Sequence, residues 1–191
     1  MGANDGIQFD DLYFKVTTLR MTGLVNDPFF EFFEVLKLNY RNYPEVLPIR
    51  IAVHQPLLDA PIYRVKQESV YKYPPLSSRH RFFLFRPSQK SRYCARGYLR
   101  GDGAMPTSPL MEVVTEFQMP NALLLQIDTE GFDADVIKMI DFTRLSPLLI
   151  KFESKNLPPI RKQETYPLLQ LNGYRLYEEG ADSIAVHSKL T

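Results

Sequence analysis

Leu123-Leu124-Leu125-Gln126-Ile127-Asp128-Thr129-Glu130-Gly131-Phe132-Asp133 is an apolar run that ends abruptly in acid. A short apolar run bounded by polar residues and glycine reads as a buried strand of a parallel sheet. Asp128 and Glu130 stand at its carboxyl end, two apart, so an extended backbone would turn both carboxylates to one face. From Asp133 to Ile140 the spacing becomes helical, with acid in the first turn. The unit is therefore strand, acidic turn, helix. Ligands of open α/β sheets bind outside the carboxyl ends of the strands, which makes Asp128 and Glu130 the first candidates for chemistry. The plainer alternative is that Thr129 or Asp133 caps the helix and Glu130 is solvated.

Outward from this unit, other strand ends also carry acid. Leu24-Val25 is a short apolar strand leading into Asn26-Asp27-Pro28. An acid at this place in a nucleotide-binding α/β domain accepts hydrogen bonds from ribose hydroxyls. Asp27 also suits an N-cap, with Pro28 at the first helical position. The helix expected over Pro28–Tyr40 puts Phe29, Phe33, Leu36 and Tyr40 on one stripe, a core face. Phe14–Leu19 has looser helical spacing. Pro44 and Pro48 read as breaks before a strand over Ile49–Val53 that ends at His54. Further on, Leu148–Glu153 is a strand ending in acid, and Ser154-Lys155-Asn156 continue its turn. Ser108 reads as the N-cap and Pro109 as the first residue of a helix reaching Gln118. A helix over Pro159–Leu171 stops at Asn172-Gly173. Tyr174–Tyr177 and Ser183–His187 flank a glycine turn and form a terminal hairpin.

The chain starts Met1-Gly2-Ala3-Asn4-Asp5-Gly6. Small residues and an Asn-Asp-Gly turn permit positive φ and close backbone approach. The spacing lacks the full Gly-x-Gly-x-x-Gly of dinucleotide sites. Between Gln55 and Thr107 the pattern fades. Ile62–Val65 and His80–Phe85 read as strands, Gly101-Asp102-Gly103 as a turn, and Arg79, Arg81, Arg86, Lys90, Arg92, Arg96 and Arg100 form a basic tract. The whole stretch is too long for an ordinary loop and reads as a substrate-covering lid or a disordered excursion; the basic tract within it reads as a solvated face or a local patch for an anionic group.

With 191 residues, 45% hydrophobic and 24% charged, the chain fits one globular domain with a sizeable core. A net charge of +1 favours no polyanionic partner, so no nucleic acid is expected. Cys94 is the single cysteine, which excludes an internal disulfide. No apolar run is long enough for a bilayer, and the N-terminal residues lack the pattern of a signal peptide. The expected setting is cytoplasmic.

Taken in order, these blocks resemble the FkbM family of S-adenosylmethionine-dependent methyltransferases. The resemblance rests on Gly2–Gly6, on Gly23–Pro28 with the Phe-rich helix and Asn39-Tyr40, and on Gln126–Asp133. It continues through Phe152-Glu153, Gly173-Tyr174 and Asp182–Ala185. It covers nearly the whole chain apart from 55–107. It implies a Rossmann-like α/β sheet, mostly parallel, of seven strands, with a C-terminal antiparallel hairpin. It implies one methyltransferase-like domain over 1–191 with an irregular insertion at about 66–107. The family's first strand, central in the sheet, would precede Gly2, so the sheet is expected to lack it. The resemblance further implies that Gly2, Ala3, Asn4 and Gly6 line S-adenosyl-L-methionine, and that Asp27 replaces the family's usual Glu on the ribose. The implied reaction is O-methylation of a hydroxyl on a sugar, glycolipid or natural product. Asp128 and Glu130 are then the catalytic candidates. Asp128, Glu153 and Asn156 form a candidate metal site, for which oxygen ligands suit Mg²⁺. Two other classes compete: a non-catalytic, methyltransferase-like binding domain, and a two-metal exonuclease built on Asp128 and Glu130.

Overall fold

The computed structural model of the chain describes residues 1–7, 12–55, 59–65, 82–84, 99–129, 131–155 and 157–190, with the backbone alone described in 59–65, 82–84 and 99–106. The chain divides into two compact units: Met1–Pro56 together with Ser108–Thr191, and Leu57–Thr107.

In the larger unit, α1 (Tyr13–Thr18) leads to β1 (Gly23–Asn26), α2 (Phe30–Tyr40), β2 (Val46–Ile49) and β3 (Ala52–Val53). β1 and β2 pair in parallel, Gly23 opposite Val46 and Asn26 opposite Ile49. α2 starts two residues later than Pro28 because both Asp27 and Pro28 lie in the turn before it; the cap residue is Phe29. Its stripe behaves as expected, with Leu36 and Tyr40 buried and Tyr13 edge-on to Tyr40. The strand read over Ile49–Val53 is two pieces, β2 and β3, and β2 runs through Pro48. Proline is tolerated there because β2 pairs on one side only, with β1.

The smaller unit holds β4 (Asp59–Val65), β5 (Phe82–Leu84) and most of β6 (Leu99–Ser108). β4 pairs antiparallel with both β5 and β6, and the register with β6 shifts between Pro61 and Tyr63. Gly101-Asp102-Gly103, expected as a turn, lies within β6. The remainder of the basic tract falls largely outside the described residues.

The larger unit resumes with α3 (Leu110–Glu116), capped by Pro109 rather than by Ser108. Then come β7 (Leu124–Ile127), α4 (Asp133–Lys138), β8 (Leu149–Glu153), α5 (Pro159–Leu171), β9 (Tyr174–Glu179) and β10 (Asp182–His187). β7 and β8 are parallel, with Leu125 opposite Ile150 and Ile127 opposite Phe152. β10 lies antiparallel to both β8 and β9, giving the order β7-β8-β10-β9. The C-terminal hairpin is thus formed, and Gly180 takes φ +64° in its turn. Alternation in β8 drives Ile150 and Phe152 into a core shared with Val136 and Ile137 of α4 and Leu169 of α5.

The expected seven-stranded sheet is not continuous. β1-β2 and β7-β8-β10-β9 are separate sheets, and Met1–Ala3 bridges their facing edges. The Met1 amine donates to the Gln126 carbonyl, the Asp128 amide donates to the Met1 carbonyl, and the Ala3 amide donates to the Asn26 carbonyl. Beyond this bridge a cavity of about 470 Å³ opens between β1 and β7, lined chiefly by apolar side chains of both strands, α1 and α3.

Candidate functional site

The N-terminal turn is built by backbone geometry. Gly2, Asn4 and Gly6 all have positive φ, at +69°, +53° and +75°. A β-carbon on Gly2 would stand 1.8 Å from the Asp128 carbonyl oxygen, so only glycine fits. A β-carbon on Gly6 would meet the side chains of Leu36 and Tyr40 at 2.6 and 2.9 Å, which makes Gly6 a packing position against α2. The Asn39 amide of α2 donates to the Asp5 carbonyl at 2.6 Å and pins the turn from the other side.

Asp27, just past the end of β1, holds this turn. One carboxylate oxygen accepts the Asn4 amide at 3.0 Å and the other accepts the Phe29 amide at 2.9 Å. Asp27 is 5% exposed. Burial pushes its carboxyl up to about 7, against the pull of those two amides. The Asn4 side-chain oxygen is buried and has no hydrogen-bond partner among the described residues. Gly2, Ala3, Asn4 and Asp27 are therefore brought together, with Gly2 against Asp128.

The acidic turn after β7 closes the site. Burial, then the neighbouring Glu153, raise the Asp128 carboxyl to about 6; the Met1 ammonium and Lys151 oppose them. Asp133 carries more of the structure than its sequence position suggests. It is fully buried. One oxygen accepts the Thr129 hydroxyl at 3.1 Å and the Gly131 amide at 3.2 Å, and the other accepts the Glu153 amide at 3.2 Å. It ties the acidic turn to the end of β8. Burial, and then Asp128, raise its carboxyl to about 7. Sequence reasoning saw Asp133 as first-turn acid or as a helix cap; its bond to Glu153, twenty residues away, leaves no local signal. His54, which the sequence placed at the end of a strand, stacks on Phe132 with ring centroids 4.7 Å apart and so packs against the same turn.

Glu130 and Asn156 lie outside the described residues. Glu153 is close enough to raise the Asp128 carboxyl. Even so, among the described residues no three His, Cys, Asp or Glu side chains are grouped to hold a metal, so the Mg²⁺ expectation finds no support. Lys151 instead pairs with Asp182 at 3.1 Å at the rim. Among the described residues no helix is long and apolar enough to cross a membrane.

What the arrangement can do follows from its parts. A tight left-handed turn, an unsatisfied amide oxygen and a buried carboxylate sit at the end of β1. A carboxylate of raised basicity sits opposite, at the end of β7. The first group suits a small polar ligand held close to backbone, and the second suits proton transfer. No curated protein and no solved structure matches the chain. The Methyltransferase FkbM domain matches residues 1–176 of the 191, and the chain belongs to the FkbM methyltransferase family.

Proposed function

We propose that the protein is an S-adenosylmethionine-dependent O-methyltransferase acting on a hydroxyl of a small-molecule or carbohydrate acceptor. The observation that carries this reading is the convergence of Gly2, Asn4, Asp27 and Asp128 at the ends of β1 and β7. Family membership implies a methyltransferase and, generally, S-adenosylmethionine. The residues present fit that cofactor. The glycine turn allows close approach. The orphaned Asn4 oxygen is an acceptor for an ammonium group. Each Asp27 oxygen, already holding one amide, retains a lone pair for a ribose hydroxyl. When bound, the cofactor supplies a methyl on a sulfonium centre.

The remaining work belongs to the chain. The acceptor hydroxyl must be aligned and must lose its proton as the new bond forms. Asp128 is the base in this reading. A carboxyl near 6 is still largely ionised at neutral pH and is a stronger base than an ordinary aspartate. Turnover should therefore rise with pH through about 6 as Asp128 loses its proton. Glu130 is the second candidate near the chemistry, by its place in the sequence alone.

Calorimetric titration with S-adenosylhomocysteine is the direct test. Saturable micromolar binding is expected. Asp27→Ala should weaken it by about 1.5–3 kcal/mol, the range for a hydrogen bond to a charged group. Asp128→Asn should leave binding intact and abolish methyl transfer. A folded chain that does not bind S-adenosylhomocysteine would overturn the reading. Binding without turnover on any hydroxyl acceptor would leave a non-catalytic binding domain.

A further inference from the structure

We infer that the outer edge of β9 is a pairing surface for a second copy of this chain, joining two sheets edge to edge in one antiparallel register. β9 ends the order β7-β8-β10-β9, so among the described residues its outer side pairs with no strand. The direction of its backbone groups follows from the hairpin. The Ser188 amide donates to the Gly173 carbonyl at 2.9 Å, and antiparallel ladders alternate between bonded and non-bonded pairs. Counted in twos from Gly173, the residues Arg175, Tyr177 and Glu179 bond inward to β10, opposite Val186, Ile184 and Asp182. Tyr174, Leu176 and Glu178 therefore turn their amides and carbonyls outward. Such a row is a template for one more strand.

The side chains select which strand. Arg175, Tyr177 and Glu179 alternate onto one face of the sheet and are exposed, Tyr177 by 52%. Among the described residues neither Arg175 nor Glu179 has an ion-pair partner. A two-fold axis beside Tyr177 sets Arg175 of each copy opposite Glu179 of the other, and the two Tyr177 rings opposite each other. These are the non-bonded pairs, where side chains stand closest. Leu176 of each copy then faces Glu178 of the other as a bonded pair, and these are residues whose backbone groups point outward. Hydrogen-bond phase and charge thus agree in the same register. A slip of one residue breaks the phase. A slip of two sets Arg175 opposite Tyr177 in one direction, and Glu178 opposite Glu178 in the other. Charged edge residues ordinarily keep stray strands away; this pattern admits a copy of itself in one register. The contact is the same patch on both copies, so it closes as a two-fold dimer. Its overlap is short, Arg175–Glu179 on each copy, which points to a micromolar dimer rather than an obligate one.

The experiment is sedimentation equilibrium of the 191-residue chain and of three variants: Arg175→Glu, Glu179→Arg and the two combined. It does not depend on methyl transfer. The unaltered chain should dimerise in the micromolar range, more weakly as salt is added. Each single variant sets like charges opposite each other in both pairs and should weaken the dimer by about tenfold or more. The combined variant sets opposite charges facing again and should recover the original constant. An equimolar mixture of the two single variants should form a heterodimer, because one copy then presents only acid at these positions and the other only base. Recovery in the mixture requires both variants to be folded, so it separates lost pairing from lost stability. A chain that stays monomeric at high micromolar concentration would overturn the inference. So would a dimer that the single variants leave unchanged, since its interface would lie elsewhere. Single variants that weaken the dimer but recover neither in combination nor in the mixture would overturn the register and the inference with it.

Discussion

A β-carbon at Gly2 would stand 1.8 Å from the Asp128 carbonyl, against backbone that β7 holds in place. Gly2→Ala therefore cannot be absorbed by a side-chain shift, and the N-terminal turn must leave its seat. Leaving breaks the bonds from Asp128 to Met1, from Ala3 to Asn26, from Asn4 to Asp27 and from Asn39 to Asp5. At about 1 kcal/mol each, that is a loss on the order of 4 kcal/mol, or roughly 8–16 °C in melting temperature. Binding of S-adenosylhomocysteine should fall much further, below calorimetric detection, because the whole turn is displaced. Asn4 provides the opposite contrast. Asn4→Gly keeps the left-handed backbone and removes only the orphaned amide. Stability should change by less than about 1 kcal/mol, while S-adenosylhomocysteine binding weakens by about tenfold. Unchanged binding would remove Asn4 from the cofactor site. These two residues were legible as a glycine-type turn before the structure was known. Their partners were not, because Asp27 and Asp128 reach them from strands far along the chain.

At the scale of elements, α5 shows what local signals can and cannot tell. Its bounds, Pro159–Leu171, are those expected from a proline at the first helical position and an Asn-Gly stop, where Gly173 takes φ +85°. Yet the helix contains Pro167, which is exposed and lacks the amide an interior position needs. It also contains Thr165, fully buried, with a hydroxyl that has no partner among the described residues. Pro167→Ala should stabilise the protein by about 1–3 kcal/mol, the helix-interior penalty less what proline gains by stiffening the unfolded chain. Thr165→Val should add on the order of 1 kcal/mol by removing an unsatisfied buried group. Chemical denaturation would check both, and a loss of stability in Pro167→Ala would mean that the proline shapes α5 for its packing. Elsewhere, strand and helix ends were misread where a side chain or a sheet edge intervened. α2 begins late because the Asp27 carboxylate first accepts the Phe29 amide. β2 accommodates Pro48 because it is an edge. β6 hid behind a Gly-Asp-Gly sequence because the pairing that extends it comes from β4, some forty residues earlier. The hairpin of β9 and β10 was readable because its turn and its strands are contiguous in sequence.

For the whole molecule, the buried carboxyls set an unusual response to pH. Asp27 and Asp133 are raised to about 7 and Asp128 to about 6, all from 3.8. A group whose folded value lies above its unfolded value binds its proton more tightly in the native state. Its stabilisation is full below the unfolded value and disappears as pH rises through the folded one. The protein should therefore lose stability from about pH 4 to about pH 7. Asp141, Glu164 and Glu45 act in the opposite sense, but they lie at the surface, exposed or partly so, where solvent screens their shifts. Asp128 isolates the effect, for burial keeps it neutral in the fold up to about pH 6 and Asn has nearly the shape of that neutral form. Asp128→Asn should match the wild type near pH 4, where both side chains are uncharged. By pH 7 it should be more stable, by on the order of 1–2 kcal/mol, given about 1.4 kcal/mol per unit and partial solvent access. It also removes a charge that raises Asp133, so the gain should extend above pH 6. The variant that melts higher at pH 7 is the one expected to lose turnover. That pairing is what a charge buried for chemistry produces, since the ionised carboxylate that weakens the fold is the base proposed for the reaction. Melting curves at pH 4, 5.5 and 7 decide it. A stability difference that stays constant across the three would show that Asp128 acts through packing and not through its charge.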